Sequence, residues 1–176
     1  MANNAGPAEE IALDFSRTID APRGLVFKVW TETEHFAQWF GPRNVDIPFC
    51  RIDARQGGAL HFCHRLRDGT EVWLKGFYRE FVAPERLVFE LWFVDAAGRK
   101  AAPPMFPDWP TEITILTTVT FADLRGKTQL SVRQVYLPAQ SATKDAVKRD
   151  REGARLGWGE TFERLAEYVA IVRARP

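Results

Sequence analysis

Apolar and polar residues alternate along most of the chain, which is the pattern of strands with one buried face. The alternation starts at residues 11–19. Six more strands are predicted at residues 45–54, 60–66, 72–82, 86–94, 112–122 and 128–137. Glycine-containing turns at 56–58 and 68–69 separate some of these segments, and we expect at least one of their glycines to adopt a positive φ. The pattern therefore predicts a seven-stranded antiparallel sheet of successive hairpins.

Helical spacing interrupts or follows the strands at three places. After residues 20–22, where Asp20 is expected to cap a helix, apolar residues recur every three or four positions, and a second short helix is predicted at 34–39. Residues 143–172 form a long helix whose apolar stripe begins at Trp158. One sheet and one amphipathic helix predict an α+β helix-grip fold, with the sheet curved around the C-terminal helix.

Length and composition favour a single domain. The chain has 176 residues, of which 45% are hydrophobic and 27% charged, the balance of an ordinary globular protein. Residues 1–10 show no periodicity, so we expect a disordered tail there and one domain over residues 11–176. Residues 99–110 contain four prolines and two aromatic residues, which predicts a long irregular loop with an apolar anchor.

Charge and hydropathy exclude several classes of partner. The net charge of +1 provides no basic field for a nucleic-acid backbone. The sequence contains neither an apolar run long enough to span a bilayer nor a secretory signal at its start, so we expect a cytoplasmic protein. The two cysteines, Cys50 and Cys63, do not form a disulfide framework and are expected to be reduced.

Several short motifs occur in an order that is typical of one protein family. They are IDAP at 19–22, VFKVW at 26–30, WFGP at 39–42, DARQGG at 53–58, GFYRE at 76–80, PERLVF at 84–89, WPTE at 109–112, TVTF at 118–121, GKT at 126–128 and GW at 157–158. The chain resembles the START-like, or Bet v 1-like (SRPBCC), superfamily and, within it, the Activator of Hsp90 ATPase homolog 1-like family. The resemblance implies the same helix-grip fold. Members of the superfamily include lipid carriers, hormone receptors, cyclases, ring-hydroxylase subunits and co-chaperones.

A grip fold with one helix is expected to leave an apolar cavity between helix and sheet. Leu60, Phe62 and His64 share one face of a strand, so His64 is predicted to face the cavity and His61 the solvent. The predicted cavity residues are Trp30, Phe49, Cys50, Phe62, His64, Trp73, Tyr78, Phe89 and Trp92. The orientation of Trp73, Tyr78 and Trp92 stays open, since a β-bulge would reverse each of them.

Catalytic and metal-binding signatures are missing from the sequence. It contains no nucleophile elbow, phosphate-binding loop or zinc-protease motif, so we assign no catalytic residue and no cofactor. Cys50 and His64 provide at most two ligands, too few for a metal site.

Three classes of function remain. The first is a protein that binds a small hydrophobic or amphipathic molecule. The second is a protein-interaction module, such as an Hsp90-type co-chaperone or a homodimer. The third is a cyclase- or hydrolase-like enzyme that uses His64 in the cavity.

Overall fold

The structure is a computed structural model that describes residues 11–138 and 140–175. The tail predicted at residues 1–10 lies outside the described residues. Seven strands are present in the described part: β1 (Ala12–Ile19), β2 (Val45–Ile52), β3 (Ala59–Leu66), β4 (Glu71–Val82), β5 (Arg86–Val94), β6 (Thr114–Leu124) and β7 (Lys127–Leu137). The same part contains the helices α1 (Arg23–Thr31), α2 (Thr33–Trp39) and α3 (Ser141–Arg173).

The strands form one antiparallel sheet in the order β1-β7-β6-β5-β4-β3-β2. Strands β2 to β7 therefore follow one another as hairpins, while β1 pairs with β7, with Ala12 opposite Val135. The sheet curls into a half-barrel. Phe162, Leu165 and Val169 of α3 belong to the same buried cluster as the inner face of the sheet, so the long helix lies in the concave side. The predicted helix-grip fold is confirmed.

Helices α1 and α2 close one end of this half-barrel with large aromatic side chains. Trp30, Phe36 and Trp39 are almost fully buried there. The indole Nε1 of Trp39 donates to the carbonyl oxygen of Val29 at 2.9 Å, which satisfies its one polar group inside the core. Helices α1 and α2 therefore provide a packed apolar surface against the middle of α3.

A second, smaller buried cluster lies towards the start of α3. Ala146 and Val147 of α3 pack there with Tyr136 and with Trp109, which comes from the proline-rich loop. The ring of Trp109 lies 5.6 Å from that of Phe93 in an edge-to-face contact. The apolar anchor predicted for this loop is thus Trp109, and it holds the loop beside the end of the sheet.

The predictions for the turns are confirmed, and the prediction for the start of α1 is not. Gly57 and Gly69 have φ values of 75° and 87°, so the prediction of positive φ in these turns is confirmed. The prediction that Asp20 caps α1 is wrong, because Pro22 occupies the N-cap position and no side chain caps this helix. The Asp20 carboxylate lies instead 3.4 Å from Lys127 Nζ. Across residues 11–138 and 140–175, none of the helices has the length and apolarity that crossing a membrane requires.

Candidate functional site

A pocket of about 250 Å³ lies between the two buried clusters, where the inner face of the sheet meets the middle of α3. Its apolar wall includes Phe40, Phe62, Leu74, Leu91, Phe93 and Trp158. Its polar side chains are those of His64, Gln134, Tyr136, Asp150 and Thr161. Apolar walls with a few polar groups are typical of sites for small molecules.

The alternation of side chains along each strand explains which residues of the sheet line this pocket. On β3, Phe62 and His64 are two positions apart and therefore point to the same face. In the register of the sheet Phe62 lies opposite Leu74, and His64 lies opposite Val72, so both neighbours on β4 also point inward. The inner face of β3 and β4 thus forms one wall.

Helix α3 presents small residues to the pocket. Ala154 and Gly157 both line it. A Cβ atom added to Gly157 would have no heavy atom within 4 Å, which means that open space lies directly above the glycine. A glycine inside a helix costs about 1 kcal/mol relative to alanine. The helix therefore has one of its three glycines at the position where the space begins.

His64 is the most unusual polar group of the pocket. Its side chain is partly buried, and its Nε2 atom is fully buried with no hydrogen-bond partner among the described residues. Burial lowers the pKa of His64 from 6.5 to about 4; a hydrogen bond to the Phe40 backbone opposes this shift, and the charge of Arg164 adds to it. His64 is therefore neutral at physiological pH.

The remaining polar groups form a connected set on β7 and α3. The indole Nε1 of Trp158 donates to Gln134 Oε1 at 3.1 Å, and the Tyr136 hydroxyl lies 3.4 Å from the same oxygen. The Thr161 hydroxyl donates to the carbonyl oxygen of Gly157 at 2.6 Å. These bonds fix the side chains that separate the pocket from the deeper core.

Asp150 lines the outer part of the pocket, and burial raises the pKa of its carboxyl group. A neighbouring pocket of about 330 Å³ shares His64, Phe93 and Asp150 with the first and continues to Met105. Met105 is 44% exposed, so the proline-rich loop forms the edge at which the combined space reaches the surface.

Three residues predicted for the cavity lie on the outer face of the sheet instead. Phe49 and Trp73 contact each other with ring centroids 5.3 Å apart, and His61 lies against both. Trp92 contacts Phe77 at 5.9 Å. The physical reason is alternation: Leu74 and Phe93 point inward, so Trp73 and Trp92 must point outward, and Phe49 lies opposite the outward-facing Cys63.

The other predicted residues divide between the pocket and the core. Phe62 and His64 line the pocket. Trp30, Tyr78 and Phe89 are at most 2% exposed and pack within the main buried cluster without lining the pocket.

Cys50 has a third environment. It packs against the main cluster opposite Phe62, but it does not line the pocket. Burial, with a smaller contribution from Glu34, raises the pKa of its thiol to about 12, so the thiol stays protonated. Among the described residues no group of three or more His, Cys, Asp or Glu side chains could hold a metal ion.

Sequence reasoning missed several pocket residues on β7 and α3. A signal for the first was available, because Leu130, Val132, Gln134 and Tyr136 alternate in one phase. Once Leu130 and Val132 are assigned to the core, Gln134 and Tyr136 must follow. Gly157 had no such signal, since its role becomes visible only when the space beside it is known.

Comparison with known proteins agrees with this architecture. The model of the family described as Activator of Hsp90 ATPase homolog 1-like protein matches residues 20–170. The chain belongs to this family. The resemblance noted in the sequence is thereby confirmed, and the fold agrees with the wider START-like superfamily.

Solved structures of similar proteins support the same fold. A protein from Nitrosomonas europaea is 22% identical, with a TM-score of 0.74, and the match covers 94% of this chain and 97% of that one. A protein from Chromobacterium violaceum is 26% identical, with a TM-score of 0.70 and coverage of 90% and 96%. An AHSA1-like protein from Aeromonas hydrophila is 17% identical, with a TM-score of 0.65 and coverage of 94% and 96%. A search of the curated proteins finds no significant match.

Proposed function

We propose that this protein binds a small apolar or amphipathic molecule in the pocket between α3 and the sheet. The observation that carries the proposal is the open space beside Gly157, on a helix that elsewhere packs large side chains such as Phe162 and Leu165 into the core. Protein interiors are close-packed, and an unfilled apolar volume of this size costs stability unless something occupies it.

The volume is suited to a small ligand. A cavity of about 150 Å³ lined by apolar residues can hold a single benzene ring. The pocket of about 250 Å³ therefore has room for roughly two fused rings or a short branched chain. The neighbouring space towards Met105 offers a route by which such a molecule enters.

Binding is favoured over catalysis by the state of His64. A general base works best when its pKa lies near the operating pH. The pKa of His64 is about 4, so its imidazole is a weak proton acceptor at neutral pH. The buried imidazole is therefore better suited to forming part of the pocket wall than to acting as a general base.

The proposal is tested by filling the pocket from the helix. Gly157→Leu places a side chain into the open space, and leucine also has the higher helix propensity, so the variant is expected to fold. Naphthalene is titrated into wild type and variant, and the indole N–H resonance of Trp158, which lines the pocket, reports occupancy by NMR. We expect Gly157→Leu to weaken binding by about 10-fold or more.

The matched control is Gly159→Leu on the same helix. Gly159 is exposed, and an added Cβ atom there also meets nothing within 4 Å. This variant receives the same leucine and the same gain in helix propensity, but it leaves the pocket open. Equal naphthalene affinity in both variants, or no binding to the wild-type protein, would contradict the proposal. Native mass spectrometry of the purified protein provides a second readout, since a co-purified compound should be absent from Gly157→Leu alone.

A second candidate function is a protein interaction through the outer face of the sheet. Two groups of aromatic side chains lie there, and we call them together the outer patch: Phe49 with His61 and Trp73, and Phe77 with Trp92. Two cations lie over its rings: Arg51 is 5.3 Å from the Phe49 centroid, and Lys100 Nζ is 5.2 Å from that of Trp92. Aromatic and arginine side chains are enriched at interfaces, and these cations favour an acidic partner.

The family name suggests an Hsp90-type chaperone as the first partner to test, with a second copy of this chain as the other. Binding of a purified Hsp90-type chaperone is measured by biolayer interferometry, and self-association by analytical ultracentrifugation. Trp92→Ala is expected to weaken a patch-mediated contact while leaving naphthalene binding unchanged. A monomer that binds no chaperone would eliminate this second function.

A further inference from the structure

Asp150 is the one ionised side chain among the described residues that line the pocket and its continuation towards Met105. It borders both spaces, so its carboxylate lies where the apolar pocket opens towards the surface. His64 also borders both, but its imidazole has a pKa of about 4 and is neutral at physiological pH. The described residues that line the two spaces include no lysine or arginine. The combined space therefore has a negative charge and no positive charge to balance it.

The Asp150 carboxylate has no hydrogen bond or ion pair among the described residues. The positions one turn away on α3 are Ala146, Val147, Gly153 and Ala154. None of these four side chains has a charge or a hydrogen-bond donor. Burial alone raises the pKa of Asp150, and no cation or donor opposes the change. The two carboxylate oxygens are not among the fully buried polar atoms without a partner, so a group that enters the space can reach them.

Aromatic rings lie beside the same space. Phe93 borders both parts of it, as Asp150 does, and Phe106 borders the outer part. Tyr136 lies close enough that the charge of Asp150 adds to the effect of burial in raising the pKa of its phenol. The negative face of an aromatic ring attracts a cation, and the attraction is larger where water is excluded. An unpaired carboxylate beside aromatic rings is suited to an ammonium group.

The spacing along α3 sets the distance between the charged and the apolar parts of the pocket. Asp150, Ala154, Gly157 and Thr161 follow one another at intervals of four, three and four residues, and all four line the pocket. Seven residues separate Asp150 from Gly157, which corresponds to about 10 Å along the helix axis. The open space beside Gly157 and the carboxylate are therefore within reach of one small molecule.

We propose that the pocket selects an amphipathic amine, a molecule whose apolar body lies beside Gly157 and whose ammonium group pairs with Asp150. The inference rests on the proposed ligand-binding function and specifies the charge and the chemical class of the ligand. A carboxylic acid of the same shape is the class that the pocket rejects.

The charges near the pocket disfavour the other two classes. An anion would approach the carboxylate of Asp150 and meet no cation in the pocket. Arg164 acts on His64 from nearby, but it does not line the pocket, and its guanidinium group donates to four backbone carbonyl oxygens. A neutral molecule would leave Asp150 partly buried and unpaired. An ammonium group avoids both costs, because it pairs with the carboxylate that burial has separated from water.

The test compares naphthalene with three derivatives that have a two-carbon side chain at position 2 and differ in charge. They are 2-naphthylethylamine, 2-naphthylethanol and 2-naphthylacetate. The amine is a cation at pH 7.5, because alkylammonium groups lose their proton near about pH 10. Dissociation constants are measured at pH 7.5 by NMR titration, followed at the indole N–H of Trp158. We expect the amine to bind about 5- to 10-fold more tightly than the alcohol, and at least about 10-fold more tightly than the acid.

Variants then assign the preference to Asp150. Asp150→Asn keeps the size of the side chain and removes its charge, so the amine should bind no more tightly than the alcohol, whose own affinity stays unchanged. Asp145→Asn is the matched control, because Asp145 is an exposed aspartate of the same helix that lines neither space. Both variants lose one negative charge, so a general attraction between protein and cation changes equally in both. Asp145→Asn should retain the preference for the amine.

The carboxyl carbon of Asp150 provides a second readout that needs no variant. An ammonium group beside a carboxylate lowers the pKa of that carboxyl group. A ¹³C NMR titration of the wild-type protein should therefore show Asp150 titrating at lower pH with saturating amine than without ligand. The alcohol should produce no such decrease.

The outcomes separate the two proposals. If neither naphthalene nor any derivative binds, the ligand-binding function is wrong, and this inference is overturned with it. If naphthalene binds but the alcohol or the acid binds as tightly as the amine, the pocket function stands and the ligand class is wrong. A preference for the amine that persists in Asp150→Asn, or an unchanged pKa of Asp150 in the amine complex, would also overturn the inference. A preference that is lost in Asp150→Asn and kept in Asp145→Asn supports it.

Discussion

The buried neutral state of His64 predicts a specific loss of stability in mild acid. The pKa of this imidazole is 6.5 in an unfolded chain and about 4 in the folded protein. Between these values the unfolded chain binds a proton that the folded protein does not, so falling pH favours unfolding. The stability is fully present above about pH 6.5 and is lost progressively as the pH approaches 4. From pH 7.5 to pH 4.5 the loss attributable to His64 is roughly 2 to 3 kcal/mol.

Urea denaturation of wild type and His64→Phe at a series of pH values between 7.5 and 4.5 measures this effect. Other groups titrate as well: burial lowers the pKa of His61, whereas burial raises that of Asp150, which adds stability as the pH falls. These contributions occur in both proteins and cancel in the difference. We expect the unfolding free energy of the wild type to fall about 2 to 3 kcal/mol further than that of the variant. Parallel pH profiles would refute the reasoning and would place the His64 imidazole in contact with water.

Three further predictions concern stability. Trp158→Ala should lower the free energy of unfolding by about 3 kcal/mol in urea denaturation, because the indole ring stacks on Phe15 at 5.5 Å and its N–H donates to Gln134. A change in thermal midpoint below two degrees would contradict this. Gly69→Val should lower the free energy of unfolding by about 1 to 2 kcal/mol because of the backbone φ of 87° alone, since an added Cβ atom meets nothing within 4 Å. Equal stability of wild type and variant would disprove a backbone effect. Arg164→Lys should cost about 1 to 2 kcal/mol in urea denaturation, because one ammonium group cannot reach four carbonyl oxygens spread from Gln38 of α2 to Val45 of β2. Unchanged stability would show that water satisfies these oxygens.

The sheet could be predicted from the sequence because alternation is a strong local signal. The phase set by Leu60 and Phe62 leads directly to His64, and the structure places all three on the inner face. The same rule assigns Trp73 and Trp92 to the outer face once Leu74 and Phe93 are assigned to the inner face. Their orientation stayed open in the sequence analysis because a β-bulge would have reversed it, and the structure shows that the outer face is also aromatic.

The site itself was only partly predictable, for a physical reason. A pocket is a volume that no side chain fills, and a glycine in a helical pattern does not indicate what lies opposite it. Gly157 appears in the sequence as a weak point of α3, and only the packing of sheet against helix shows that it faces open space. The burial of His64 likewise depends on residues such as Phe40, 24 positions earlier in the chain, whose ring lies 5.9 Å from the imidazole and which no local pattern relates to it.

The pairing of β1 with β7 determines when the sheet can be completed as the protein is made. Ala12 lies opposite Val135, and Ile19 lies opposite Thr128, so the first strand has its only sheet neighbour among the described strands more than a hundred residues later. During synthesis the hairpins from β2 to β7 can form as they leave the ribosome, whereas β1 must wait with its apolar side chains unpaired. The N-terminal strand, although made first, is thus among the last to join the sheet, and until it does the edge of β7 is open to other chains.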